Sequence, residues 1–238
     1  MRRAVILLLL LGVLCGVTIW ATSLGKVGIF RVASPTKVLK STLRHLQIVA
    51  TAEALAILIG IPVGFLVTRR LFRFVSPVLV GLANVGQTIP TLAFIGIAGV
   101  ALGLGYTAAV VALFVYALLP IIRNTYAGIR SVPPEVKEAA RGMGMSAWQI
   151  VLRVEFPLAR PVIIAGIRTS TVVNVGTAAV AGMIGAGGLG DLIMSGIAVR
   201  VTQLILQGAA PAAALAITLD ALLGGVETWL TPRGMRRT

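Results

Sequence analysis

Six runs of mostly apolar residues, at 4–20, 48–67, 75–100, 108–122, 162–184 and 207–226, dominate this 238-residue chain. A helix rises about 1.5 Å per residue, so roughly twenty apolar residues cross the hydrocarbon of a bilayer. Each run is followed by a short polar or basic connection, and no room remains for a large extramembrane domain. The expected fold is therefore all-α: a polytopic membrane protein with about six transmembrane helices. Charged residues form only 12% of the chain, against the roughly 25% of a soluble domain, which excludes an ordinary cytosolic enzyme.

The charge balance is one-sided, with 21 Lys and Arg against 7 Asp and Glu and a net charge of +14. Nucleic-acid binding would need these bases gathered on one face with polar or aromatic readers beside them. Here they are scattered between apolar runs, so orientation of the spans and attraction to anionic headgroups of the bilayer account for them, with no nucleic-acid partner. Counted on alternate sides, fourteen bases fall with both termini and the long connection between the fourth and fifth runs, and six fall opposite. The positive-inside rule then places both termini in the cytoplasm of a multi-pass cell-membrane protein. Met1-Arg2-Arg3 and the first run fit either a signal peptide or a first helix, and the lack of an Ala-x-Ala site favours a retained helix. Cys15, the only cysteine, lies inside that run. Residues 22–44, carrying Lys26, Arg31, Lys37, Lys40 and Arg44, read as a loop or a helix lying on the membrane surface. The organisation is thus 1–44 as a first helix and connection, 45–226 as the transmembrane unit, and 227–238 as a basic tail.

The connection at about 131–160 is too regular to be passive. Pro133-Pro134 suits a helix start, and Glu135 and Glu138 favour the positive end of that helix. Gly142-Met143-Gly144 ends it, because glycine reaches positive φ cheaply. Ser146-Ala147-Trp148-Gln149 has the S-x-x-Q spacing of a capping box, predicting a second short helix running to Pro157. The product is a helix-turn-helix elbow between two spans, with Ala139 and Ala140 forming a small-residue surface that another protein could approach closely.

Glu138-Ala139-Ala140, three residues, Gly144, nine residues and Val154-x-Phe156-Pro157 resembles the EAA loop of ABC importer permeases, E-A-A-x3-G-x9-I-x-L-P, with Val154 and Phe156 as conservative departures. The resemblance implies a type I importer permease fold and makes the elbow a coupling helix that docks on a separate ATPase, through Glu138, Ala139, Ala140, Gly142, Gly144 and Pro157. It also implies two ATPase subunits, a second permease copy or close relative, and an extracytoplasmic solute-binding protein. Gln87-Thr88-Ile89-Pro90-Thr91, Arg123-Asn124-Thr125-Tyr126, Val173-Asn174-Val175-Gly176-Thr177, the run from Ile184 through Gly185-Ala186-Gly187-Gly188 to Asp191, and Leu219-Asp220 resemble the glycine betaine, choline and carnitine permeases. Methionine-type permeases share the glycine run, so a methionine or other amino-acid importer is the nearest alternative.

The polar residues inside spans carry the remaining readings. Gln87, Thr88 and Pro90 either line a passage or make an interhelical hydrogen bond beside a packing kink. Asn174, Gly185, Gly187 and Gly188 join them, by resemblance, as candidates for the solute pathway or its outer gate. Glu53 must pair, neutralise or face water at membrane depth; a structural pair or an interfacial position is favoured over a proton relay. The glycine run lacks the Lys-Ser/Thr of a P-loop, so no ATP and no other cofactor is expected on this chain. The single histidine, His45, reads as an interfacial polar residue and offers no metal cluster. Trp20 and Trp229 read as aromatic-belt anchors. An ion-driven secondary transporter and a membrane enzyme are the competing classes, the latter lacking a convergent His, Asp and Ser set.

Overall fold

The computed structural model describes residues 12, 16, 33–72, 74, 76–78, 81 and 88–230. Cys15, Trp20 and nearly all of the first predicted span, Gln87, and the tail from 231 onward lie outside the described residues. Among the described residues the chain is helical, with no strand. The elements are α1 (Pro35–Leu66), α2 (Thr91–Leu102), α3 (Tyr106–Arg130), α4 (Pro134–Gly142), α5 (Ala147–Ile150), α6 (Phe156–Val180), α7 (Leu189–Ala198) and α8 (Thr202–Leu230). Of the described helices, α1, α3 and α8 are both long and apolar enough to cross a membrane by that measure alone. The 25-residue α6 has the length too, and carries Arg160, Arg168 and Asn174 along it.

Side-chain contacts fix the direction of each rod. The hydroxyls of Thr51 and Tyr106 meet at 2.9 Å, midway along α1 and at the start of α3, while Gly64 lies against Thr125 farther along both. These two helices therefore run parallel. The α6 helix runs opposite to both: His45 Nε2 donates to the Val175 carbonyl at 3.0 Å, and Gly166 and Gly128 bring α6 against Asn124 and Ala159 against α3. Gln207 near the start of α8 clasps the backbone of Ala33, accepting from its N–H at 3.0 Å and donating to its carbonyl at 3.2 Å. One side of the bundle thus holds the Pro35, Tyr106, Val180 and Thr202 ends. The other holds the Leu66, Arg130, Phe156 and Leu230 ends, together with α4 and α5.

Glycine sets the spacing between rods. A Cβ at Gly60 would come within 2.8 Å of Ile121 Cγ2, and one at Gly64 within 2.8 Å of the Ile122 carbonyl oxygen. Close approach of this kind substitutes for the hydrophobic drive that helices lack when lipid is the alternative neighbour. The core between α1, α3 and α6 is filled by alanines and branched aliphatic residues, Ile48, Ala52, Ala109, Leu113, Val175 and Ala178 among them.

Several predicted boundaries move. The segment read as a loop or surface helix is helical from Pro35, because Ser34 caps α1 by accepting from the Lys37 N–H at 3.3 Å and Pro35 occupies the first turn. At 32 residues α1 is about 48 Å long, some 18 Å more than the hydrocarbon needs, so Lys37, Lys40 and Arg44 can ride on a helical extension beyond it. The α1 helix also passes through residue 45 without a break. The third predicted span is interrupted at 88–90, where Pro90 forms the cap of α2 and the chain is not helical. The fourth continues two turns past Ile122 to Arg130, so Arg123 and Arg130 belong to α3 and not to the connection. The second elbow helix does not stop at Pro157: after α5 a π-helical turn over Val151–Glu155 leads directly into α6, and Pro157, which has no N–H to give, sits just where the π turn hands over to the α-helix. His45 is fully buried on α1 instead of interfacial.

Candidate functional site

The elbow comprises α4, the bend at 143–146, α5 and the π turn. In α4 the backbone N–H of Met143 reaches the Ala139 carbonyl, and Met145 N–H reaches that of Ala140. Gly144 sits at φ +80°, and a Cβ there would meet nothing within 4 Å; its requirement is conformational, since L residues disfavour that region. Gly142 is the last residue of α4 and is equally open. The predicted capping box is present in full, with Gln149 N–H donating to Ser146 Oγ at 3.3 Å and Ser146 N–H to Gln149 Oε1 at 2.8 Å.

The two alanines separate. Ala139 and Glu138 are exposed on the outer face of α4, whereas Ala140 is buried. A surface made of both alanines is therefore not available; Ala140 is the inward contact that closes the bend. Elsewhere on the elbow Val136, Met143, Trp148 and Leu152 are exposed apolar side chains. Trp148 and Leu152 also border a wholly apolar cleft of about 230 Å³ with Ile61, Phe65, Val151 and Phe156.

One residue that the sequence reading did not single out holds this unit to the bundle. Glu155, the last residue of the π turn, is buried and accepts a hydrogen bond from Arg69 Nη2 just beyond α1, while Lys137 Nζ of α4 lies 3.7 Å from its other oxygen. A single carboxylate thereby joins α1, α4 and the root of α6. The available signal was its position: Glu155 is a lone acid among Arg141, Arg153 and Arg160, inside the motif position that any residue type can fill.

The candidate pathway residues fall into two groups. Asn174 is fully buried, donating from Nδ2 to Glu53 Oε2 at 3.1 Å, and Ser170 of α6 also bonds Glu53. Glu53 therefore has structural partners on α6, as the pairing reading of it expects. Gly185, Gly187 and Gly188 form the turn between a 3-10 turn at Ala181–Ile184 and α7. Gly188, at φ +88°, rests on α1, since a Cβ there would stand 3.2 Å from His45 Cα, and Gly187 faces Arg44. Asn174, Gly187 and Gly188 thus all back onto the stretch of α1 from Arg44 to Glu53. Thr88 and Pro90 lie apart, exposed at the start of α2, where the Tyr116 hydroxyl donates to the neighbouring Ile89 carbonyl and Phe94 meets the Tyr116 ring edge-on at 5.5 Å. Gln87 lies outside the described residues.

A family model described as binding-protein-dependent transport system inner membrane component matches residues 60–236. The osmoprotectant import permease protein OsmW of Salmonella typhimurium is 45% identical over 200 residues, covering 82% of this chain and 92% of that protein. The choline transport system permease protein OpuBB of Bacillus subtilis is 43% identical over 201 residues, covering 84% and 92%. Among solved structures, an inward-facing form of the MetNI methionine ABC transporter superposes with a TM-score of 0.71 at 25% identity, covering 84% of this chain and all of that one.

Proposed function

Since this chain belongs to the binding-protein-dependent transport system inner membrane components, the permease subunits of ATP-driven importers, we propose that it passes a small quaternary-ammonium compatible solute, of the glycine betaine, choline and carnitine class. The sequence motifs and the 45% and 43% identities to osmoprotectant and choline permeases support that class. Likeness to the methionine transporter is weaker in sequence and speaks to the fold.

The observation that carries the mechanism is the Glu155 clamp. An ATPase that closes against Glu138, Ala139 and the exposed apolar side chains pushes α4 and α5. Gly144 holds the bend, and Pro157 and the π turn pass the displacement into α6 without a flexible joint. Arg69 draws the end of α1 along, and α3 follows through its glycine contacts with both. The rods then rock between inward- and outward-facing arrangements, with Asn174 and the turn at 185–188 near the outer gate and Gln87, Thr88 and Pro90 along the passage. A second permease copy or close relative supplies the other wall, two ATPase subunits occupy the two elbows, and an extracytoplasmic binding protein delivers solute. The side bearing the elbow is the cytoplasmic one, since Arg69, Arg130, Lys137, Arg141 and Arg153 gather there.

The test is reconstitution with the cognate ATPase and binding protein in liposomes. ATP-dependent uptake of glycine betaine or choline, requiring the loaded binding protein, is the expected result. Concentrative uptake of either solute by the chain alone under a proton or sodium gradient overturns the assignment, and ATP-driven uptake of methionine in their place overturns the solute class.

A further inference from the structure

Halfway along α6, twelve residues from either end, Arg168 projects to the side of the helix facing α8 and makes a two-pronged ion pair with Asp220, Nε to Oδ1 at 2.6 Å and Nη2 to Oδ2 at 2.7 Å. Nη1 reaches Glu227 Oε2 at 3.4 Å. Gly224 makes room for the guanidinium, since a Cβ there would lie 3.3 Å from its central carbon. This pair is not sealed inside the subunit: the side chains of Arg168 and Asp220 are 38% and 41% exposed. They open on a cleft of about 410 Å³ whose wall continues through Thr169, Val172, Val173 and Glu227, a volume within the roughly 300–1,000 Å³ of small-molecule sites.

An exposed ion pair at the middle of a membrane helix restricts what can lie against it. Hydrocarbon is excluded, because charges at that depth face a bundle interior or water. A dry helix from another subunit would strip water from both charges, a cost that attraction between them does not reliably return. Water and a polar solute satisfy them. We propose that the cleft between α6 and α8 is a stretch of the solute pathway, with the Arg168–Asp220 pair as a polar wall that meets a small zwitterion or organic cation in transit. Its paired charges present an anionic edge to a quaternary ammonium and a guanidinium edge to a carboxylate. Because each is already neutralised by the other, the wall passes such a solute without trapping it. This stretch is separate from Thr88, Pro90 and the 185–188 turn, and it rests on the transport reading above.

Cysteine accessibility decides the matter. In a Cys15→Ser background, Thr169→Cys and Val173→Cys, exposed neighbours on successive turns beside the pair, are assembled with ATPase and binding protein. Each is treated with a charged, membrane-impermeant methanethiosulfonate while the complex turns over ATP. The expected result is modification of both positions, slowed severalfold by saturating glycine betaine or choline. Reaction only with a membrane-soluble maleimide places the cleft against lipid, and intersubunit disulfide formation without aqueous modification makes it a dry contact with a second copy; either overturns the proposal. Uptake by the Cys15→Ser parent is measured in parallel. If the parent takes up neither solute with ATP, the function assigned above fails; if it does and the cysteines stay unreactive to the aqueous reagent, only this inference fails.

Discussion

Replacing Glu155 with glutamine isolates the clamp from the shape of the elbow. Removing one partner of a fully buried ion pair costs about 3–5 kcal/mol, because the other charge is left without water. Here only the acid is buried, its side chain 6% exposed, whereas those of Arg69 and Lys137 are 32% and 22% exposed and can rehydrate. The loss therefore falls toward that of a charged hydrogen bond, about 1.5–3 kcal/mol. Glutamine keeps the volume and one acceptor, so a value near 2 kcal/mol is expected, roughly a thirtyfold shift toward an elbow detached from α1. Detachment leaves the ATPase docking face untouched, so hydrolysis should persist while solute moved per ATP drops.

The assay is paired: ATP hydrolysis and uptake in the same proteoliposomes, with and without loaded binding protein, after size-exclusion chromatography has shown the complex intact. Arg69→Gln should reproduce the defect, and the Arg69→Gln, Glu155→Gln double variant should add little to either single change, because both remove one interaction. A wild-type ratio of solute to ATP in Glu155→Gln would falsify the clamp. Strictly additive losses in the double variant would show that Arg69 and Glu155 act independently, which refutes it equally.

The two elbow glycines should part company. Gly144→Ala, at φ +80°, should cost about 1–2 kcal/mol and uncouple hydrolysis from uptake, while Gly142→Ala, at a helical position where a Cβ meets nothing in this chain, should not lower the chain's own Tm; an equal drop in Tm for the two contradicts the bend geometry. Gly190→Ala would set a Cβ 2.2 Å from the Ala179 carbonyl oxygen, and overpacking against backbone of this kind should lower stability by about 3 kcal/mol, read as a depressed Tm of the detergent-solubilised complex. An unchanged Tm refutes that contact. Glu53→Gln keeps an oxygen for Ser170 and lets Asn174 turn its amide to match, so uptake should survive at every pH tested, whereas Glu53→Leu strands both partners and should cost about 2–4 kcal/mol. A loss of uptake in Glu53→Gln without loss of expression would revive the proton relay.

Local signals in the sequence were read correctly where the physics is itself local. The capping box at Ser146 and Gln149 is a contact between residues three apart, so its spacing suffices to specify it. The helix break at Gly144 follows from one residue's freedom at positive φ. Helix ends were misplaced where hydropathy stood in for backbone geometry: Arg123 and Arg130 end an apolar run but continue α3, because a charged residue past the hydrocarbon has no reason to leave a helix that carries it into water. The same substitution hid the start of α1, where Ser34 and Pro35 were capping signals and Lys37, Lys40 and Arg44 drew attention as loop charges. Partners far apart in sequence were not legible at all. Glu155 with Arg69, and Arg168 with Asp220, are separated by 86 and 52 positions, and which mid-span charges meet depends on helix order and direction.

Those long-range contacts also divide the molecule mechanically. Where α1, α3 and α6 cross, added Cβ atoms at Gly60, Gly64 and Gly166 would come within 2.6–2.8 Å of neighbouring atoms, and packed interiors this tight resist small relative shifts. Around α7 the approach is closer still, with Gly190 against the Ala179 carbonyl. The elbow is the opposite case, with Gly142 and Gly144 facing open space. On the coupling proposed above, force applied at α4 and α5 would reach the rods through the π turn and the Glu155 carboxylate and would move α1, α3 and α6 as one block. The boundaries left to yield would then be the exposed break at 88–90 and the half-exposed seam between α6 and α8, which the Arg168 ion pairs line. On that reading, motion would be concentrated at the two surfaces proposed above as the solute's path.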